Sequence, residues 1–277
     1  MALRDGPLLA LSGAVGFLSR LPVGRSERAW EAFRTAPWTL PVAGYLLGAL
    51  LAVPVGLALV WTPAVTVAVV VLAAVVALTG INHFDGVADL GDAMVVHGDA
   101  ERRREVMGDT TLGVGGTLAL ALVVAGLALA GLGLAELSVG TAVGLVVAAE
   151  VGAKLAMATL VALGSPAHEG FGAAVAGETE PRGLAVPLAL ALPVAIVTWP
   201  STAAVVALVG SLAAATALLW WSRRRLGGVT GDVIGAGNEL ARVVALHAGL
   251  VAATSGVDLS RALLATRLPE VVRWTLW

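Results

Sequence analysis

The stretch that decides the fold is A-V-T-V-A-V-V-V-L-A-A-V-V-A-L-T-G-I, Ala64 to Ile81, which runs straight into N-H-F-D-G-V-A-D-L-G-D, Asn82 to Asp92. An apolar run with no charge gives way, without a linker, to a segment holding three aspartates. A second polar segment follows, E-R-R-R-E-V-M-G-D-T-T-L-G from Glu101 to Gly113, before the chain turns hydrophobic again. Ionisable groups set against membrane-length apolar runs mark a functional site.

Outward from that point the composition fixes the class. Of 277 residues, 58% are hydrophobic and 13% charged, and the mean hydropathy is +0.91. A soluble domain carries about 25% charged residues. Seven runs approach the ~20 apolar residues that cross a bilayer. They are Pro37–Val60, Pro63–Ile81, Val114–Leu132, Val139–Leu163, Gly183–Trp199, Thr202–Trp221 and Glu239–Thr254. The expectation is an all-α, polytopic helix bundle forming one membrane domain over residues 1–277. Pro7–Leu18 reads as a short re-entrant or interfacial helix, too short and glycine-broken for a signal peptide. The tail 255–277, with mixed charge and Trp274 and Trp277, reads as an interfacial helix. There is no cysteine, which excludes disulfides and thiolate chemistry. A net charge of −2 gives no reason to expect a nucleic-acid partner. The partner these runs require is the lipid bilayer, and an oligomer stays open.

Arginines alternate along the chain. Arg20, Arg25, Arg28 and Arg34 precede the first span. Arg102–Arg104, Arg182 and Arg223–Arg225 occupy every second loop after it, while the intervening links hold no arginine. By the positive-inside rule the arginine-bearing loops face the cytoplasm. Arg261, Arg267 and Arg273 break the pattern if all seven spans cross. The acidic loop, the loop Gly164–Arg182 and the glycine-rich G-G-V-T-G-D-V-I-G-A-G-N-E (Gly227–Glu239) then share one side and can form one site.

The chemistry at that site follows from residue types. Asp85, Asp89 and Asp92 stand at i, i+4 and i+7, one face of a helix. Clustered carboxylates with phosphate chemistry suit Mg²⁺, which takes one or two carboxylates plus substrate phosphates. Asp109 offers a further carboxylate. His83, beside the cluster, is suited to accept a proton near neutrality, or to make a structural hydrogen bond. Arg102–Arg104 and Arg223–Arg225 are candidate phosphate clamps, or simply topology determinants. The glycine loop lets backbone approach a phosphate closely, or lets helices pack tightly. These residues by themselves define a metal-dependent membrane enzyme.

The ordered set T-G-x-x-H-F-D-G-V-A-D-x-x-D, E-V-M-G-D-T-x-L-G and G-G-V-T-G-D-V-I-G-A-x-x-E resembles cobalamin synthase, the adenosylcobinamide-GDP ribazoletransferase family. F-L-S-R-L-P-V (Phe17–Val23) and Pro41-Val42-Ala43-Gly44 are similar to that family's opening and first span. The resemblance covers residues 15–250. It implies a Mg²⁺-dependent cell-membrane enzyme, with its active-site loops in the cytoplasm. The 3′-hydroxyl of α-ribazole, or of its 5′-phosphate, attacks the cobinamide-side phosphorus of adenosylcobinamide-GDP, and GMP leaves. Asp85, Asp89, Asp92 and Asp232 become the expected metal ligands. His83, Asp85, Asp89 and Asp109 become the expected catalytic set, with His83 as base. Arg102, Arg103, Gly228, Gly231 and Glu239 are expected to bind the substrate.

Three positions depart from the family pattern. Thr111 stands where the second motif has arginine. Glu150 stands where the fourth span has arginine, and Arg242 where an acid follows the glycine loop. The last two predict an ion pair between Glu150 and Arg242 across two helices. The rival readings are a UbiA-like prenyltransferase, a CDP-alcohol phosphotransferase and an ion-coupled transporter. The first would want a second D-x-x-x-D after a later span. The last would want ionisable groups at mid-membrane depth, whereas most here lie in a loop, with Glu150 and Lys154 the exceptions.

Overall fold

The computed structural model describes residues 6–168, 170–176 and 181–255. Helix follows helix, and no strand occurs among the described residues. In chain order they are α1 (Gly6–Leu18), α2 (Glu27–Arg34), α3 (Thr39–Trp61), α4 (Ala64–Thr79), α5 (Asn82–Val95) and α6 (Ala100–Met107). After them come α7 (Val114–Leu134), α8 (Val139–Leu163), α9 (Phe171–Ala176), α10 (Ala185–Ala191), α11 (Ala203–Arg225) and α12 (Gly231–Thr254).

The core is α8. Its apolar window is 94% buried, against 28–44% for the other long apolar helices. Alanine and glycine dominate it, so neighbours come close without side chains between them. Gly44 and Gly48 of α3, spaced G-x-x-x-G, lie on the backbone of Val151 and Val147. A Cβ at either would sit 2.9–3.0 Å from a valine Cα. On another face Gly152 meets Ser211 of α11, and on a third Leu145 fills the space beside Gly249 of α12. These three helices sheathe α8.

The span expectation holds for four helices and is corrected elsewhere. α3, α7, α8 and α11 are long and apolar enough to cross a membrane. α4, with 16 residues, is ~24 Å long, short of the ~30 Å hydrocarbon core. Gly80, at φ +77°, ends it in a conformation that favours glycine, and α5 departs at 102°. The pair amounts to one bent span or a re-entrant loop, which gives at most five by length and composition. The segment Gly183–Trp199 is not one helix. It breaks into a 3₁₀ turn (Pro181–Leu184), α10 and a second 3₁₀ turn (Leu192–Ile196). Pro187 and Pro193 lie in it, and neither can donate to a continuous helical ladder. The seventh run extends back to Gly231 as a 24-residue helix, but Asp232, Glu239 and Arg242 keep it from reading as a lipid-type span. About seven spans is therefore not the count the structure supports. The tail expectation, 255–277, lies outside the described residues beyond Ser255.

α1 and α2 form a hairpin. Ser26 caps α2 through the Ala29 N–H, and Phe17, Trp30 and Phe33 pack with centroids 5.5–5.8 Å apart. The Arg20 N–H donates to the Leu78 carbonyl at 2.7 Å, seating the hairpin on the end of α4. The polar loops meet at one end of the bundle. The Val229 N–H donates to the Ser165 carbonyl at 2.8 Å, and the Ala167 N–H to the Val229 carbonyl at 3.0 Å. Arg104 reaches the Leu226 carbonyl at 2.6 Å, and Gly172 abuts Thr230.

Candidate active site

Because α5 departs from α4 at 102°, its aspartates lie across the end of α4 instead of continuing along it. The neighbour they meet is the start of α12. Gly86 rests against the backbone of Asp232, and a Cβ there would come 2.7 Å from the Asp232 carbonyl oxygen. Only glycine at position 86 permits this contact. The first and third sequence motifs thereby become one site, as the arginine alternation required. Thr230 caps α12 through the Val233 N–H, fixing where Asp232 begins the helix.

The carboxylates there repel one another. Partial burial, then Asp232, Asp85 and Asp92, push Asp89 up to about 7. Burial, and then Asp85, raise Asp232 as well, against hydrogen bonds and His168 that lower it. Asp85 is exposed. Such a cluster wants a cation. No three acidic or imidazole groups among the described residues already stand as a metal centre. One or two carboxylates, with a substrate's phosphates completing the shell, is the arrangement Mg²⁺ ordinarily takes. The donor set fits that ion.

Asp92 is occupied differently. Its two oxygens accept the N–H groups of Gly113 at 2.8 Å and Gly116 at 2.9 Å. It thus caps α7 from a neighbouring helix, in place of Gly113, which has no side chain to do so. Gly91 and Gly115 touch beside it, locking α5 to α7. Asp109 is exposed, and its carboxylate accepts the Thr111 N–H at 3.1 Å, a contact within its own turn.

The arginine triplets divide. Arg103 is buried and caps α5 by donating to the Ala93 carbonyl. Arg104 holds Leu226, Arg223 holds the last carbonyl of α8 at Leu163, and Arg224 stacks on Trp220. Arg102 is exposed and pairs with Glu105 at 3.0 Å. The glycine loop also approaches protein. A Cβ on Gly228 would meet the Ser165 carbonyl at 2.3 Å, which is close packing between loops. Gly231 opens α12 directly before Asp232.

Behind the aspartates lies a closed ring of buried polar groups. Arg242 donates through Nε to Glu150 Oε2 at 2.7 Å, and through its terminal nitrogens to Glu150 Oε1 at 3.1 Å and to Glu239. Lys154 donates to Glu150 and, at 2.8 Å, to Asn238 Oδ1. Asn238 Nδ2 donates to Glu239 Oε1 at 2.8 Å and faces His83 Nδ1 at 3.1 Å. Two acids balance two bases, and each is at most 2% exposed. The ion pair expected between Glu150 and Arg242 is present. Glu239, expected to touch substrate, is wholly enclosed, because Arg242 and Asn238 take its oxygens.

The ring orients His83. Lys154 only donates, so the Asn238 oxygen faces it and the amide nitrogen faces His83. His83 Nδ1 is then the acceptor, the tautomer whose N–H lies on Nε2. Glu239 Oε1 stands 3.6 Å from Nδ1. No group among the described residues takes Nε2. Asn238 was assigned no role by sequence reasoning, and Lys154 entered only as a charge at membrane depth. The available signal was polar spacing inside an apolar span, at 150 and 154 and at 238, 239 and 242.

A bundle of apolar helices, capped at one end by a cleft of mutually repelling carboxylates, has the architecture of a membrane enzyme. The family model described as cobalamin-5-phosphate synthase matches residues 10–250, and the chain belongs to that family. It is similar to an adenosylcobinamide-GDP ribazoletransferase of Halorubrum lacusprofundi, 56% identical over 89% of this chain and 98% of that one. Proteins of the same description from Methanococcoides burtonii and Escherichia coli are each 32% identical. They cover 91% and 84% of this chain, and 95% and 96% of their own. No solved structure matches the chain.

Proposed function

We propose that this chain joins α-ribazole, or its 5′-phosphate, to adenosylcobinamide-GDP and releases GMP, completing the nucleotide loop of adenosylcobalamin. The observation that carries this reading is the seating of Asp232 on Gly86, which gathers carboxylates from two distant motifs into one cleft. The cleft faces the cytoplasm of the cell membrane, on the side of the arginine-bearing loops.

One or two of Asp85, Asp89 and Asp232 would hold Mg²⁺ together with the substrate's phosphates, and Asp92 sets the angle between α5 and α7 that presents them. When bound, the ion would neutralise charge on the pyrophosphate and on the departing GMP. The ribose 3′-oxygen bonds to the cobinamide-side phosphorus as the bond from that phosphorus to the GMP oxygen breaks. His83, with Nδ1 engaged by Asn238, offers Nε2–H to a phosphate oxygen, and so acts as a donor in place of the expected base. The exposed carboxylates of the cleft are left to take the hydroxyl proton. Catalysis of this kind is mainly positioning and electrostatics. Asp109, at the end of the second motif, lies on the loop whose other end Asp92 grips, and it lines the approach.

The test is purified protein in nanodiscs with adenosylcobinamide-GDP, Mg²⁺, and α-ribazole present or absent. GMP release that requires α-ribazole supports transfer. Release at the same rate without it makes the protein a hydrolase, and no release with either acceptor removes the reading.

A further inference from the structure

A second polar cavity adjoins the cleft. It measures about 590 Å³ and lies between the α1–α2 hairpin and the start of α5, lined by Ser19, Arg20, Arg25, Thr79, Gly80 and Asn82 among others. Arg20 and Arg25 are both exposed into it, and neither has an acidic partner among the described residues. Arg25 donates only to the Arg20 carbonyl, at 3.1 Å. That bond turns the second arginine back over the first. The hairpin is fixed there by the Arg20 N–H bond to Leu78 and by the aliphatic stem of Arg20 lying over Gly80.

We infer that this cavity is a phosphate subsite, in which Arg20 and Arg25 hold a phosphate group of the nucleotide substrate. The inference rests on the proposed transfer reaction, and three observations lead to it. First, position matters. Asn82 on the cavity wall and Asp85 in the cleft are at i and i+3, neighbours on one helix face about 5–6 Å apart at Cβ. A molecule with linked phosphates can occupy both. Second, the cleft is anionic, so a phosphorylated substrate needs cations on its other side. Third, most of the other loop arginines are engaged. Arg103, Arg104 and Arg223 cap helix or loop carbonyls, Arg224 stacks on Trp220, and Arg34 and Arg102 pair with Glu31 and Glu105. Two guanidinium forks at one wall match phosphate geometry, and one in isolation would not enclose it.

The ligand chemistry has two sources in this reaction: the phosphate of the GMP moiety, and the 5′-phosphate of the ribazole acceptor. The experiment compares wild type with Arg20→Gln, Arg25→Gln and the double variant in nanodiscs, with Arg28→Gln as a control outside the cavity. KM is measured for adenosylcobinamide-GDP and for each acceptor, and GMP binding is measured calorimetrically without turnover. Losing a charged hydrogen bond raises KM roughly 10- to 100-fold. If the GMP phosphate sits there, KM for adenosylcobinamide-GDP rises with either acceptor and GMP binding weakens, with kcat little changed. If the acceptor phosphate sits there, only KM for α-ribazole 5′-phosphate rises. Arg20→Lys and Arg25→Lys recover part of the loss in either case, and equal melting temperatures exclude misfolding. Unchanged KM values and GMP binding in the double variant overturn the inference, as does an effect confined to binding of anionic lipid vesicles. Because GMP binding needs no turnover, it reads the subsite even where the transfer reaction fails.

Discussion

Glu150→Gln is the perturbation whose size the structure fixes best. In the wild type Glu150 and Glu239 face Lys154 and Arg242, so the buried ring is neutral. The variant leaves one net positive charge between α8 and α12, and Lys154 keeps only Asn238. Removing one partner of a buried pair costs about 3–5 kcal/mol. For a chain of this size, that lowers Tm by roughly 6–20 °C. Glu150→Gln combined with Lys154→Met restores neutrality and should recover more than half of the loss, a coupling that a double-mutant cycle reads directly. The assay is thermal unfolding in detergent, followed by tryptophan fluorescence. A Glu150→Gln variant melting with the wild type, or strictly additive losses in the pair, would refute the charge-balance argument. Exchanging Glu150 and Arg242 for one another should not rescue either single reversal. It would set two cations at positions 150 and 154, and two acids at 239 and 242.

Asp85→Asn and Asp89→Asn should each abolish turnover while inserting and purifying normally; full activity in both, or activity surviving excess EDTA, would remove the metal. Asp92→Asn should instead lower Tm, since a lost cap costs about 1 kcal/mol, and leave measurable turnover. Gly86→Ala should cut activity sharply, because its methyl group collides with the Asp232 carbonyl, whereas wild-type rates would show that the α5–α12 contact is not needed. Asp89 holds its proton up to about 7 folded but only to about 3.8 unfolded, so metal-free protein should lose stability as pH rises between those values. Melting scans across that window should show the slope, and Asp89→Asn or added Mg²⁺ should reduce it.

Much of this was legible in the residues. Hydropathy marks α3, α7, α8 and α11, because lipid demands long apolar helices. The arginine alternation brought Asp232 to Asp85 across more than a hundred residues. The Glu150–Arg242 pair followed from two charges that an apolar interior cannot leave alone. What stayed hidden depends on contacts that spacing does not encode. Gly80 reads as one more residue of an apolar run until its positive φ turns α5 through 102°. Asp92 looks like its neighbours at i−3 and i−7, yet it faces the start of α7. Arg103 and Arg223 look like clamps for a ligand, but the carbonyls they cap come from helix ends that only the fold places beside them. Asn238 is unremarkable in sequence, and matters because Lys154 fixes which way its amide points.

The central claim is that α5 and the start of α12 share one metal–pyrophosphate site. Its most direct test is a cryo-EM structure in nanodiscs with adenosylcobinamide-GDP and Mg²⁺. Pyrophosphate density is expected between Asp85, Asp89 and Asp232, with a metal peak touching at least one of these carboxylates. Nucleotide at the opposite end of the bundle, or in the lipid-side groove of Leu50, Pro54, Val70 and Ala74, would contradict it.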